Sequence, residues 1–257
     1  MILVCDVGNT ETTLGVYEAE ELRGHWRLTT DVPRTDDEFG LLIRQLLIDD
    51  GVNPLHITGA AIASVVPRVT APLVSACKRW LTDKPVLLVD GRSKLPIKLD
   101  VEEPLTVGAD RIVNTLAVCR LYKRDAIVVD LGTATTFDCI TADGVFIGGV
   151  IAPGVLMQLE ALSRRTAKLP ATELVLPTRV IGRRTEDNIR AGVMYGAAEA
   201  IDGITRRIKS EWPGTDTPFV IATGGLAETF EQLCKEFNEV DPYLTLRGLQ
   251  IAFDLLT

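Results

Sequence analysis

Two carboxylates stand at the ends of short apolar runs, and a glycine turn follows each. Asp6-Val7-Gly8-Asn9-Thr10 comes after Ile2-Leu3-Val4-Cys5, and Asp130-Leu131-Gly132-Thr133-Ala134 comes after Ala126-Ile127-Val128-Val129. A strand that ends in a carboxylate and turns tightly through glycine can aim backbone N–H groups at a phosphate, while the carboxylate holds a cation that shields it. Taken alone, the first turn also fits an ordinary hairpin in which Gly8-Asn9 supplies positive φ. The second turn, with hydroxyls on Thr133, Thr135 and Thr136, tips the balance towards phosphate. A motif carried twice implies duplication: two related lobes, each offering one turn to a nucleotide held in a cleft between them.

A third carboxylate lies between these two, in Val107-Gly108-Ala109-Asp110-Arg111 at a helix start. In many helices such an Asp only complements the dipole and such an Arg only pairs with a surface acid. In a phosphoryl-transfer site the same residues have work to do: Asp110 accepts the proton of an attacking hydroxyl, and Arg111 binds an anionic group on that substrate. The chain has two histidines, His25 in a strand-like run and His56 in a polar connection, and neither is near a plausible nucleophile. A carboxylate is therefore the natural base. Two further glycine clusters, Gly148-Gly149-Val150-Ile151-Ala152-Pro153-Gly154 and Ala222-Thr223-Gly224-Gly225-Leu226, sit at strand-to-helix junctions. Each fits close packing of strand on helix, and the second also suits a nucleoside.

The elements that position these residues follow from periodicity. Stretches 2–7, 12–17 and 22–30 read as strands joined by tight turns. Thr35 with Glu38 forms a capping-box pattern, and Phe39, Leu42, Ile43, Leu46 and Leu47 then recur at helical spacing until Gly51. A strand at 58–65, a helix at 68–81, a strand at 85–90 and an irregular stretch through Pro96 and Pro104 lead to a helix over 109–122. The second half repeats the order, with strands at 126–131, 135–141 and 145–151, a helix from 154, another across 186–210, a strand at 218–222 and helices beyond Gly225. Alternation of this kind predicts α/β layering. The boundary is placed within the 109–122 helix, giving lobes 1–115 and 116–257.

The bulk numbers exclude several classes. A chain of 257 residues with 46% hydrophobic and 24% charged residues buries a real core and is not disordered. Its net charge of −8 lacks the basic excess that nucleic-acid binding demands, so no nucleic acid is expected as partner. The start reaches Asp6 without a basic leader and no stretch is long enough to span a bilayer, so no membrane partner is expected. Five scattered cysteines without a C-x-x-C pair read as buried thiols in a reducing cytoplasm.

Read in order, the sequence resembles the type III pantothenate kinases. The residues that carry the resemblance are Asp6-Val7-Gly8-Asn9-Thr10, Thr35-x-Asp37-Glu38, Gly108-Ala109-Asp110-Arg111, Asp130-Leu131-Gly132-Thr133-Ala134-Thr135, Gly148-Gly149-x-Ile151-x-Pro153-Gly154, Ile181-Gly182-x-x-Thr185 and Thr223-Gly224-Gly225. The resemblance covers essentially the whole chain, and the repeated three-strand order is similar to the ribonuclease-H-like lobes of the actin, Hsp70 and sugar-kinase superfamily. It implies phosphorylation of pantothenate at its primary hydroxyl by ATP with Mg2+ and a monovalent cation, K+ or NH4+, in a cytoplasmic homodimer on the route to coenzyme A. Carried over by position, Asp6, Val7, Gly8, Asn9, Thr10, Glu11, Thr12 and Thr13 form the first ATP-phosphate loop, with Asp6 also near the magnesium. Asp110 is the proton acceptor, Gly108, Ala109, Asp110, Arg111 and Thr185 hold pantothenate, Asp130 binds the monovalent cation, and Thr133 meets the ATP phosphates. Two positions depart from the family pattern: Glu11 stands where Asn is usual, and Val101 where a Tyr contacts pantothenate. A kinase of another small hydroxylated substrate and a nucleotide-binding regulatory accessory protein are the remaining readings.

Overall fold

A strand with no polar residue until its end must be covered on both faces, and β1 (Ile2–Val7) is: every residue is buried except the half-buried Asp6. In the computed structural model, which describes residues 1–82 and 85–257, β1 is the centre of a five-stranded sheet. It pairs antiparallel with β2 (Glu11–Glu18) and parallel with β4 (Ala60–Ser64); β3 (Glu21–Thr29) lies beyond β2 and β5 (Val86–Val89) beyond β4.

Two helices cover one face of this sheet. In α1 (Asp36–Asp49) the capping box is complete: Glu38 N donates to Thr35 Oγ1 at 3.2 Å and Thr35 N donates to Glu38 Oε2 at 2.7 Å. Those bonds from Thr35 hold the Glu38 carboxyl below its ordinary range. Phe39, Ile43 and Leu47 then pack, with Val69 and Leu73 of α2 (Pro67–Ala76), on Leu3, Cys5, Val7 and Ile62. Each such side chain contributes roughly 1.5–3 kcal/mol by leaving water. The hydrogen bond to Cys77, with burial, pushes the Cys5 thiol well up, and none of the five cysteines is in a disulfide.

The opposite face carries α3 (Ala109–Ala117) and α7 (Leu244–Leu256), whose Ile112, Val113, Leu116, Leu246 and Leu249 pack on Ile2, Val4, Ala61 and Ala63. Gly248 permits close approach, since a Cβ there would overlap the Val113 carbonyl. The helices expected at 68–81 and 109–122 are each an α-helix followed by a π-helical turn, Cys77–Leu81 and Val118–Tyr122.

The second sheet contains β7 (Ala126–Leu131), β8 (Ala134–Ile140), β9 (Val145–Pro153), β10 (Phe219–Thr223) and β11 (Glu239–Val240), with β6 (Lys98–Leu99) pairing on the first residues of β9. The order β9-β8-β7-β10-β11 reproduces β3-β2-β1-β4-β5, with β7 in the place of β1. The core beside it comes from Ile127, Val129 and Phe137, from Leu159 of α4 (Val155–Arg164), from Ile189, Met194 and Ala198 of α5 (Thr185–Glu211), and from Phe230 at the end of the short α6 (Ala227–Phe230). By contacts the chain forms two units, one of Met1–Lys123, Asp143–Phe146 and Tyr243–Thr257, the other of Arg124–Ala142 and Ile147–Pro242. Two sheets of like order in a mixed α/β chain fit the two lobes expected from sequence.

Candidate active site

In the first unit the site is built at the C-terminal end of β1. Asp6 pairs in register with Thr13 of β2 and Ala63 of β4, and it lies on the same sheet face as Val4, the face that α3 and α7 cover further back. The chain then reverses through Asn9-Thr10, closed by Gly8 N donating to Glu11 O at 3.0 Å. Positive φ does not explain this turn, because neither Gly8 nor Asn9 has it. Glycine eases a close approach instead: a Cβ on Gly8 would lie 3.0 Å from the Glu11 carbonyl oxygen, a tight contact that the turn would have to loosen to admit. The bend is held from behind by Thr30, whose N donates to the Thr10 carbonyl at 2.9 Å and whose hydroxyl meets that of Thr12 at 2.9 Å in the buried interior. Asn9, Thr10 and Glu11 are exposed, whereas Thr12 turns its hydroxyl inward. The Glu11 carboxylate lies 3.9 Å from the Arg27 guanidinium.

Asp110 reaches the same end of the sheet. Val65 N donates to the Val7 carbonyl at 3.1 Å, and Val65 Cγ1 lies 3.5 Å from where a Cβ on Gly108 would stand. The start of α3 is thereby seated beside the end of β1. Within α3's first turn, Arg111 N donates to Asp110 Oδ1 at 2.9 Å, and any Cβ on Gly108 would overlap that oxygen. The Asp110 carboxylate thus sits against helix N–H groups, where the dipole favours negative charge. The Arg111 guanidinium lies over the Phe146 ring, 4.9 Å from its centroid. Ala109 is buried on the α3 face of the core, so its contribution to a ligand is its backbone.

The second unit repeats the arrangement at the end of its own central strand. Asp130 ends β7 in register with Thr136 of β8 and Thr223 of β10. Gly132 N donates to the Ala134 carbonyl at 3.1 Å, so only Thr133 lies within this tighter turn. Two glycines that the sequence placed in separate clusters converge on it. Gly154, the residue before α4, lies so close that a Cβ would stand 2.6 Å from the Gly132 carbonyl oxygen and overlap that of Thr133. Gly224, with φ of +89°, leaves room for the Asp130 carboxylate, which a Cβ would overlap. These are cradles that only a missing side chain keeps open. The α4 helix walls a groove of about 500 Å3 in which Gln158, Thr185 and Asn188 meet Leu162 and Leu169. Thr185 opens α5 and is exposed.

Sequence reasoning missed Thr30 and Arg27. Thr30 looks like the polar end of a strand until the register brings it behind Thr10, and Arg27 looks like one more exposed residue in an alternating strand. Val101 lies half-buried in a bend just after β6. Among the described residues no cluster of three His, Cys, Asp or Glu could hold a metal by itself. Asp6 nevertheless suits Mg2+, which takes one or two carboxylates and completes its shell from phosphates and water. No helix among the described residues is long and apolar enough to cross a membrane.

Duplicated sheets, each with an Asp at the end of its central strand, define the class as the actin-like ATPase and sugar-kinase fold, which the similar solved structures share. One described as a Baf family transcriptional activator from Campylobacter jejuni is 18% identical with a TM-score of 0.58, covering 99% of this chain and 98% of that one. Another, the activator of the 2-hydroxyisocaproyl-CoA dehydratase from Clostridium difficile with bound ADPNP, is 11% identical with a TM-score of 0.58, covering 99% and 95%. Sequence narrows the class: the family model of type III pantothenate kinase matches residues 2–207, and a type III pantothenate kinase of Anaeromyxobacter dehalogenans is 44% identical over 255 residues, 99% of each chain. The chain belongs to the type III pantothenate kinase family.

Proposed function

We propose that this protein phosphorylates the primary hydroxyl of pantothenate with ATP, the first step towards coenzyme A. The single observation that carries the reading is Asp110 at the start of α3, fixed by Arg111 N and seated beside the end of β1. In the reaction the substrate oxygen forms a bond to the γ-phosphorus as the bond to the β-phosphate bridge breaks, and the hydroxyl proton passes to the Asp110 carboxylate. ADP leaves with the electrons of the broken bond. Bound Mg2+ supplies charge neutralisation for the phosphates.

The chain's residues divide the work. The turn Asp6 to Thr13 holds the phosphates through backbone N–H groups, with Asp6 on the magnesium side. Thr12 supports the turn from within, buried and with its hydroxyl engaged with Thr30. In the second unit Thr133 meets the phosphates, and Asp130, walled by Gly224, holds a monovalent cation, K+ or NH4+. Gly108, Ala109, Asp110 and Arg111 hold pantothenate, Arg111 answering its carboxylate, and Thr185 adds a hydroxyl. We assign a homodimer in the cytoplasm on the family pattern.

The test is phosphate transfer from ATP to pantothenate, with and without potassium, by the parent and by Asp110→Asn. Loss of the base lowers kcat by about 10²–10⁴-fold while nucleotide binding persists. Near-normal turnover in the variant removes Asp110 from the role. Parent protein that transfers phosphate to other polyols and not to pantothenate moves the assignment to another small-molecule kinase.

A further inference from the structure

A carboxylate at the residue that closes a phosphate-binding turn is an electrostatic liability. Glu11 is such a residue, since its carbonyl closes the turn on Gly8 N and its side chain is half exposed. Like charge beside a polyphosphate weakens binding unless a cation offsets it. The structure supplies one. In register across the sheet, Asp6 faces Thr13 and Thr13 faces Arg27, so one row of side chains crosses β1, β2 and β3 on a single face. The residues flanking Arg27, Trp26 and Leu28, pack on the opposite core, which sends Arg27 out on the Asp6 side. Glu11 pairs with Thr29, two positions along β3, and this diagonal brings the Glu11 carboxylate to 3.9 Å from the Arg27 guanidinium.

We propose that Arg27 is a positioning residue for the nucleotide: it draws the Glu11 carboxylate along β3 and offsets its charge, so that the first turn can accept a polyphosphate. The proposal rests on the reading of Asp6 to Thr13 as a phosphate loop. A pair this exposed contributes little to folding, so a loss of nucleotide affinity in its variants is not a loss of fold. Arg27 is also the element of this pair that no local motif announces, since it is supplied by a strand two places from β1.

The experiment is calorimetric titration of a non-hydrolysable ATP analogue with Mg2+ into the parent, Arg27→Ala, Arg27→Lys, Glu11→Asn and the Arg27→Ala/Glu11→Asn double variant, at low and at high salt. Arg27→Ala weakens binding about fivefold to tenfold at low salt, Arg27→Lys keeps most of the affinity, and Glu11→Asn alone binds more tightly than the parent. Adding Glu11→Asn to Arg27→Ala restores affinity to within about threefold of the parent, and the Arg27→Ala defect shrinks as salt screens the exposed charge. Affinity in Arg27→Ala within about twofold of the parent overturns the proposal, as does a double variant no better than Arg27→Ala, because charge offset requires rescue. A parent that binds the analogue yet leaves pantothenate untouched refutes the pantothenate kinase assignment and leaves the arginine test standing. A parent that fails to bind the analogue overturns both.

Discussion

Replacing Gly224 by Ala tests whether the second turn is a cradle built around Asp130. Two costs can be worked from the geometry. Residue 224 has φ of +89°, a region where a Cβ costs about 1 kcal/mol or more. The new methyl would also overlap Asp130 Oδ1 and stand 2.8 Å from Leu131 N, so the carboxylate and the end of β7 must shift, at about 2 kcal/mol. A loss of about 3 kcal/mol lowers the thermal midpoint by about 6–12 °C for a chain this size. Gly132→Ala is the internal control, because its Cβ would lie 3.5 Å from the same Asp130 oxygen and 3.6 Å from the Ala134 carbonyl, both ordinary contacts. That variant melts within about 2 °C of the parent. Circular dichroism melts and kinase assays on both variants then separate packing from ligand approach: Gly224→Ala loses stability and activity together, whereas any activity lost by Gly132→Ala at parental stability is a clash with ligand. Equal midpoints for Gly224→Ala and the parent would refute the reasoning, since neither the φ nor the overlap would then exist in solution.

Two further outcomes follow from buried or paired groups. Thr12→Val strands the buried Thr30 hydroxyl and costs about 1–2 kcal/mol in urea unfolding, while Thr12→Val/Thr30→Val removes both partners and recovers most of that loss; a double variant as unstable as the sum of the singles counts against the hydroxyl pair. Glu236 takes a hydrogen bond from Lys209 at 2.8 Å and sits 3.5 Å from Arg206, and this hydrogen bond with the nearby charges holds its carboxyl below the ordinary range. Its stabilisation is complete above the unfolded value of about 4.3 and is lost as pH falls through the lower folded value. Urea midpoints of the parent and Glu236→Gln therefore differ at neutral pH and converge as pH falls below the lowered folded value, and a gap that persists in strong acid would contradict the linkage.

Element types were legible because periodicity and capping agree with tertiary structure. The β1 and β7 runs are apolar without alternation, as strands covered on both faces must be, and Thr35 with Glu38 marks a helix start that the hydrogen bonds complete. The Gly-Ala-Asp-Arg motif was readable for the same reason: Asp110 is in the first turn of α3, and the spacing that announces a helix start also fixes the carboxylate. What escaped was set by contacts distant in sequence. The apolar stripe of α7 says that it buries a face, but only the fold says that the face lies on β1 and α3. The two-residue strands β6 and β11 have no pattern of their own length to detect, and the inward turn of Thr12 depends on Thr30, eighteen residues away.

The duplication also bears on the proposed division of labour, with Asp110 as base and Asp6 and Asp130 on the cation sides. Asp6 and Asp130 occupy equivalent ends of equivalent central strands, so the fold alone gives them equal standing. Their surroundings differ by what abuts the turn. Beside Asp130, Gly154 at the start of α4 lies directly on the turn and Gly224 on the carboxylate, so the carboxylate is closely walled by backbone. Beside β1, the start of α3 is set back by Val65, and it brings its own carboxylate, Asp110, anchored by a backbone N–H through one oxygen. A base must receive a proton from a substrate that comes and goes, whereas an ion-binding carboxylate must stay committed. The proposed roles fit one repeated scaffold because the third Asp is placed by a helix start, outside the strand ends that the duplication made alike.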